Sequence, residues 1–349
     1  MNRLLIIAPN WLGDAVMAMP AIGAVRRWFP SAHLAVAARA SVAPLLGMVP
    51  GVDAVVTLEG RGSWGDTLGR TADASKLYEG EFEAALLLPN SFGSAWLTRR
   101  AGIAERWGYR RDARGPLLTR AISPPRGVTQ AQYYATLVEA LGGPAADFTA
   151  SLAVPAAAQE AAESLLRASG WNGGPLVAFA PGAAFGPAKR WPPERVAAVA
   201  RDIAVRDEAT PVFVGARADA GTIADVLSAY CRDGLGERRP AIDLGGRTDL
   251  PVLAAVFMRC RAVVSNDSGA MHVAAASGAS VTAIFGPTNE RATSPLPHAS
   301  GRSTTVVAGQ AWCRPCQRRL CPIDHRCMTS VEAQRVADLV RSDVRRAEP

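Results

Sequence analysis

Three short motifs set ionisable side chains beside glycines, each directly after an apolar run. The first, Pro9-Asn10-Trp11-Leu12-Gly13-Asp14, ends in a carboxylate. A carboxylate projecting from a strand end can take a proton from an attacking hydroxyl. Aspartate is equally a common helix cap, and a helical pattern begins at Ala15, so Asp14 carries both readings. The second motif, Pro181-Gly182-Ala183-Ala184-Phe185-Gly186-Pro187-Ala188-Lys189-Arg190-Trp191-Pro192, holds one of only two lysines (Lys76 and Lys189) among 38 basic residues. Its glycines let backbone approach a ligand, and the Lys189 ammonium is a compact charge suited to phosphate oxygens; the alternative is a solvated charge beside a turn. The third, Ser265-Asn266-Asp267-Ser268-Gly269-Ala270-Met271-His272, enters a helix at Gly269. Free N–H groups there favour a diphosphate, with Ser268 adding a hydroxyl and Asp267 turned to sugar hydroxyls. The bland reading makes Asp267 or Ser268 a cap, and His272 a packed histidine rather than a donor-site residue.

Two further groupings stand apart. Cys313, Cys316, Cys321 and Cys327 fall within fifteen residues, with His325 among them. Their fate is left open between a tetrahedral structural metal, free thiols and oxidised pairs. The active-site residues themselves are expected to bind no metal. Arg99, Arg100, Arg106, Arg110, Arg111, Arg114, Arg120 and Arg126 outnumber the nearby acids Glu105 and Asp112. Such a run is either a solvated face or a docking surface for a phosphorylated or carboxylated acceptor, with Arg110, Arg111 and Arg114 its centre. Trp96 and Trp107 suit sugar stacking or core packing equally. There is no Gly-x-Gly-x-x-Gly, no Walker lysine and no nucleic-acid-binding module.

These motifs need strand ends to position them. Short β-rich runs alternate with helical stretches: strands are expected at Leu4–Ala8, Leu34–Ala38, Ala54–Leu58 and Ala84–Pro89, then Leu176–Ala180, Pro211–Val214, Ala241–Leu244, Ala262–Ser265 and Val281–Phe285. Helices are expected at Ala15–Trp28, Gln130–Leu141 and from about Glu194, Ala218, Leu250 and Gly269. The rhythm is α/β with parallel sheets. The length of 349 residues suits two domains, at 1–155 and 170–329. An Ala/Pro/Gly-rich connection with one helix, Gln159–Ala168, separates them. A last helix in 330–349 closes the second domain or packs back on the first. A composition 49% hydrophobic and 20% charged is globular, and the net charge of +7 favours an anionic partner. No apolar run reaches the ~18 residues needed to span a bilayer. The apolar start is read as a strand rather than a signal, so the protein is expected to be cytoplasmic.

Taken together, the Asn10–Asp14, Pro181–Pro192 and Asn266–His272 motifs resemble those of the bacterial ADP-heptose:lipopolysaccharide heptosyltransferases, in order and over nearly the whole chain. The first motif is most like that of members adding the second heptose. The resemblance implies a GT-B fold of two Rossmann-like domains, acceptor bound mainly by the first and ADP-heptose by the second. It implies inverting, metal-independent transfer to the first heptose of the inner core, with ADP-heptose as donor substrate and no cofactor required. The acceptor implied is heptosylated Kdo2-lipid A at the cytoplasmic face of the inner membrane, with the enzyme peripheral to it. By motif matching Asp14 takes the general-base position, Lys189 the diphosphate contact, and Asp267, Ser268, Gly269 and His272 the donor pocket. Asp219 falls near the ribose-binding acid and Thr248 on the adenine side. The absence of any Asp-x-Asp pair assigns diphosphate stabilisation to protein cations. Rival readings are a family member with another acceptor (heptosyltransferase I or III) and a nucleotide-sugar epimerase of similar architecture.

Overall fold

A computed structural model describes residues 1–60 and 67–346, so the last three residues of the expected 330–349 segment lie outside the described residues. The chain forms two compact units, Met1–Ala153 and a second beginning at Val154.

The first unit holds a six-stranded parallel sheet of β1 (Arg3–Ile7), β2 (His33–Arg39), β3 (Ala54–Leu58), β4 (Ala84–Leu87), β5 (Glu105–Tyr109) and β6 (Arg120–Ile122), ordered β3-β2-β1-β4-β5-β6. Its central strands are apolar throughout because helices cover both faces: Leu4, Leu5 and Ile6 are fully buried, paired in register with Leu34, Ala35 and Val36. β5 and β6 lie inside the arginine-rich run, where charge hides the strand pattern. Trp107 and Tyr109 point inward, while the Arg106 and Arg120 stems lie along the sheet, Arg120 over the Trp107 ring at 5.4 Å. The expected helix Ala15–Trp28 is two helices, Leu12–Met17 and Met19–Trp28, because Pro20 has no N–H to bond back to the preceding turn.

The second unit repeats the plan with β7 (Leu176–Ala180), β8 (Thr210–Phe213), β9 (Ile242–Asp243), β10 (Ala262–Asn266), β11 (Ser280–Phe285) and β12 (Thr304–Ala308), ordered β12-β11-β10-β7-β8-β9. Counted within each unit, both sheets read 3-2-1-4-5-6. That order reverses direction between β1 and β4 and between β7 and β10, and ligands of open parallel sheets bind outside the carboxyl ends at such reversals.

The segment expected as an interdomain connection belongs to this unit. Its helix, Ala156–Ala168, packs against Leu250–Arg259, with Glu163 paired to Arg259 at 2.5 Å. The final helix, Ala333–Arg346, closes the second unit: Val336, Ala337, Val340 and Val344 enter the same core as Val196, Ala200 and Ile203 of the helix Pro193–Arg206. Burying each of those valines stabilises by about 1.5–3 kcal/mol. Arg341 bonds Asp207 at 3.1 Å along the seam.

Candidate active site

In the second unit, loops leaving the carboxyl ends of β7, β8, β9, β10 and β11 meet. The loop after β7 is tied to β10 by Asn266, whose Nδ2 donates to the Pro181 carbonyl at 2.7 Å and whose Oδ1 accepts the Trp191 N–H at 3.2 Å. Trp191 is fully buried and anchors the far end of the loop, its indole N–H donating to the Val331 carbonyl at 3.2 Å. Lys189 is thereby held with its Nζ 2.6 Å from Asp267 Oδ2, the two side chains only 12% and 6% exposed. It also lies 4.7 Å from the centroid of the Phe185 ring. The Thr288 hydroxyl donates to the same Asp267 oxygen at 2.5 Å. The solvated-charge reading of Lys189 therefore fails.

Beside this pair starts the helix Gly269–Ala276. Ser268 occupies the capping position, yet no side chain caps the helix; its hydroxyl lies 3.3 Å from that of Ser265. The first turn keeps N–H groups available for an anion, and the dipole favours negative charge there. His272 is buried one turn in. Burial, more than its charged neighbours, pushes the imidazole down to about 4, so it is neutral at physiological pH. Its Nδ1 has no hydrogen-bond partner among the described residues.

Asp219 stands across the loop from Gly182: a Cβ on Gly182 would lie 2.4 Å from its Oδ1, so only glycine allows the approach. The Asp219 Oδ2 also accepts the Ala216 N–H at 3.0 Å. Thr248 is half-buried in the loop after β9, just before Asp249, which caps the helix Leu250–Arg259 through the Val252 N–H at 2.9 Å. Thr288 and Phe185 are the contacts that motif reading missed. Thr288 follows β11 with the strand-end logic used for the other motifs, and a search of every strand end would have found it.

In the first unit Asp14 is half-buried in the first turn of the helix Leu12–Met17, whose capping position is held by Trp11 without a side-chain cap bond. Asp14 is therefore not the N-cap. Its charge reaches the buried Tyr134, where burial first and Asp14 second raise the phenol pKa. A cavity of about 410 Å³ opens at the ends of β1, β2 and β4, lined by Asn10, Arg39, Ser91, Phe92, Ser94 and Asp112 among others, a volume suited to a small ligand or a sugar unit. Arg110 and Arg111 follow β5 and are exposed.

Arg114 corrects the expectation of an acceptor-binding surface cation. It is fully buried, its Nε donating to the Tyr109 carbonyl at 2.9 Å and its Nη atoms to the Pro89 carbonyl, Ser94 Oγ and Asn90 Oδ1. Burial lowers its pKa to about 10. With its donors turned into the protein, it braces the loop after β4 rather than meeting a ligand. Trp107 is a core residue packed with Trp28 and Phe29. No disulfide joins any of the six cysteines. No described helix is long and apolar enough to cross a membrane.

Residues 70–326 match the family model described as glycosyltransferase family 9 (heptosyltransferase). The lipooligosaccharide heptosyltransferase 2 of Haemophilus ducreyi is 33% identical over 308 residues, covering 84% of this chain and 86% of that protein. The lipopolysaccharide heptosyltransferase 2 of Escherichia coli K12 is 31% identical over 315 residues, covering 88% and 89%. Among solved structures, that of the E. coli ADP-heptose lps heptosyltransferase II superposes with a TM-score of 0.81 at 27% identity, covering 100% of both chains; the fold is GT-B.

Proposed function

The chain belongs to glycosyltransferase family 9, the heptosyltransferases, and from that premise we propose that it moves L-glycero-D-manno-heptose from ADP-heptose to the first heptose of the lipopolysaccharide inner core. The observation that carries the donor side is the buried Lys189–Asp267–Thr288 group beside an uncapped helix start. A diphosphate seated on the N–H groups of Gly269 and its neighbours draws the Lys189 ammonium toward itself, and Asp267 turns to the heptose hydroxyls while Thr288 keeps it oriented. As the glycosidic bond breaks, negative charge grows on the departing ADP, and Lys189 and the helix dipole stabilise it. Asp219 takes the ribose and Thr248 the adenine side.

Asp14 accepts the proton of the attacking hydroxyl, which approaches the anomeric carbon from the face opposite ADP and inverts it. Base catalysis of this kind is worth about 10² to 10⁴ in rate. Arg110 and Arg111 bind the anionic core of heptosylated Kdo2-lipid A, and the cavity beside Arg39 receives its sugars. Protein cations serve in place of a catalytic metal or other cofactor. The protein works in the cytoplasm, peripheral to the inner membrane where its acceptor is anchored.

The test is ADP release from ADP-heptose with Kdo2-lipid A carrying either no heptose or one. Release is expected only with the heptosylated acceptor. Release with the bare acceptor, or none with either, overturns the assignment. In the same assay Asp14→Asn should lose turnover by at least 10²-fold, and reversing Arg110 and Arg111 should raise acceptor KM with donor KM unchanged.

A further inference from the structure

We propose that Cys313, Cys316, Cys321 and Cys327 form a four-thiolate site for one thiophilic divalent ion, zinc by its chemistry, and that the bound ion fixes the loop that carries the donor-side residues. The four cysteines, well separated from Cys231 and Cys260 in sequence, line one cavity of about 10 Å³. That is roughly the room of a single small sphere, and four cysteines are the ligand set of a structural Cys₄ zinc site.

The local backbone favours this use of the thiols. Only two residues separate Cys313 from Cys316, and Gln317, directly after Cys316, takes a left-handed conformation at φ 55°. Its N–H is bonded to the Pro287 carbonyl at 2.9 Å, which fixes this segment against the loop after β11. On the other side His325, also left-handed at φ 55°, donates its backbone N–H to Cys321 Sγ at 3.3 Å. A backbone donor aimed at sulfur stabilises the thiolate a metal requires. No group of three or more His, Cys, Asp or Glu side chains among the described residues is already gathered into a metal-holding arrangement. Binding therefore draws the thiols inward by side-chain rotation, to sulfur–metal distances of about 2.3 Å.

The remaining walls give the site its consequence. The same cavity is lined by Ala188 and Pro287, the residues immediately before Lys189 and Thr288. Between Cys316 and Cys321 the Arg319 carbonyl accepts the Ala188 N–H at 3.1 Å. It lies 2.6 Å from where a Gly186 Cβ would stand, and the Arg319 guanidinium lies 5.4 Å from the Phe185 ring centroid. Arg314, inside the first cysteine pair, donates to the Gly309 carbonyl at 2.7 Å and the Thr288 carbonyl at 3.2 Å, and pairs with Glu290 at 2.7 Å. The cysteine loop is thus the outer support of both loops that hold Asp267. That the ion tunes donor binding rests on the proposed function; that it binds does not.

The experiment is elemental analysis of the full chain purified with a reductant and without chelator. About one equivalent of zinc per chain is expected, lost in Cys313→Ser/Cys316→Ser and kept in Cys231→Ser. Reduced, metal-stripped protein should take up one cobalt(II) with sulfur-to-cobalt charge-transfer bands and tetrahedral visible bands. Should the double serine variant fail to fold, this titration of the wild-type chain stands alone. Iron on the same four sulfurs upholds the site and replaces the ion. Less than a tenth of an equivalent together with no cobalt uptake overturns the proposal, as do two disulfides in the intact mass of freshly purified protein. If metal binds but its removal leaves ADP-heptose affinity unchanged within twofold, the site stands and its coupling to the donor loop is wrong.

Discussion

Removing the ammonium of Lys189 tests whether the buried ion pair is a working part of the second unit. In Lys189→Ala, Asp267, 6% exposed, keeps the Thr288 hydroxyl but loses its cation. Breaking a buried pair by deleting one partner costs about 3–5 kcal/mol, because the charge left behind is uncompensated. The surviving Thr288 bond and protonation of the stranded carboxyl reduce this to about 2–4 kcal/mol. At about 2–4 °C per kcal/mol for a unit of 150–250 residues, the melting transition of the second unit falls by roughly 4–16 °C. Lys189→Ala/Asp267→Asn removes both charges and should recover at least half of that loss, since replacing a buried pair by neutral groups is far less costly than halving it. Turnover should stay low in both variants, by about 10²- to 10³-fold, because neither restores a cation for the departing diphosphate. Thermal melts and ADP-release kinetics on the four proteins of the cycle (wild type, Lys189→Ala, Asp267→Asn and the double variant) decide it. A Lys189→Ala melt within about 1 °C of wild type, or a double variant no more stable than the single, would refute the reasoning.

Two further outcomes follow from buried groups. The folded-state pKa of His272, about 4, lies below the ordinary 6.5, so its contribution to stability is complete above about pH 6.5 and is lost as pH falls from there toward 4, up to about 3 kcal/mol. His272→Asn should flatten the stability profile in that window relative to wild type, and parallel profiles from urea titrations at pH 7, 6, 5 and 4.5 would sink the claim. Arg114→Ala strands the acceptors at Pro89, Asn90, Ser94 and Tyr109 and opens a void, so chemical denaturation should record a loss of about 3–5 kcal/mol in the first unit. If instead the variant keeps its stability and acceptor KM rises, Arg114 is a ligand contact.

Much of this architecture was legible in the residues. β3 and β7 fall on the expected spans, and the helices beginning at Leu250 and Gly269 start where the sequence places them, because apolar runs bounded by glycine and aspartate leave few alternatives. β5 and β6 were hidden, since arginines with apolar stems occupy strand positions and hydropathy counts only their charge. The same blindness made Arg114 look like surface, as burial is a property of the partners around a side chain rather than of its type. Lys189 and Asp267 were each legible at a strand end, but not their contact, which depends on two loops 78 residues apart being bound to each other through Asn266. Thr288 lies three residues past β11, at the kind of strand end that carries the other motifs, but with no ionisable side chain to mark it.

The strand order has a consequence for the nascent chain. In each unit the first strand to be made becomes a central one, and one of its edges must wait. β7 gains β8 early, but its other edge pairs with β10, which follows only after residues 181–261 have been synthesised. Until then five fully buried-type residues, Leu176–Ala180, present a row of unpaired amides and carbonyls along an apolar ribbon, the form that recruits foreign strands. The β1 edge waits in the same way for β4, across a nearly equal interval. Each half of this protein therefore passes through a stage of synthesis in which its central strand is open on one edge, and substitutions that slow the arrival of β4 or β10 are expected to promote aggregation.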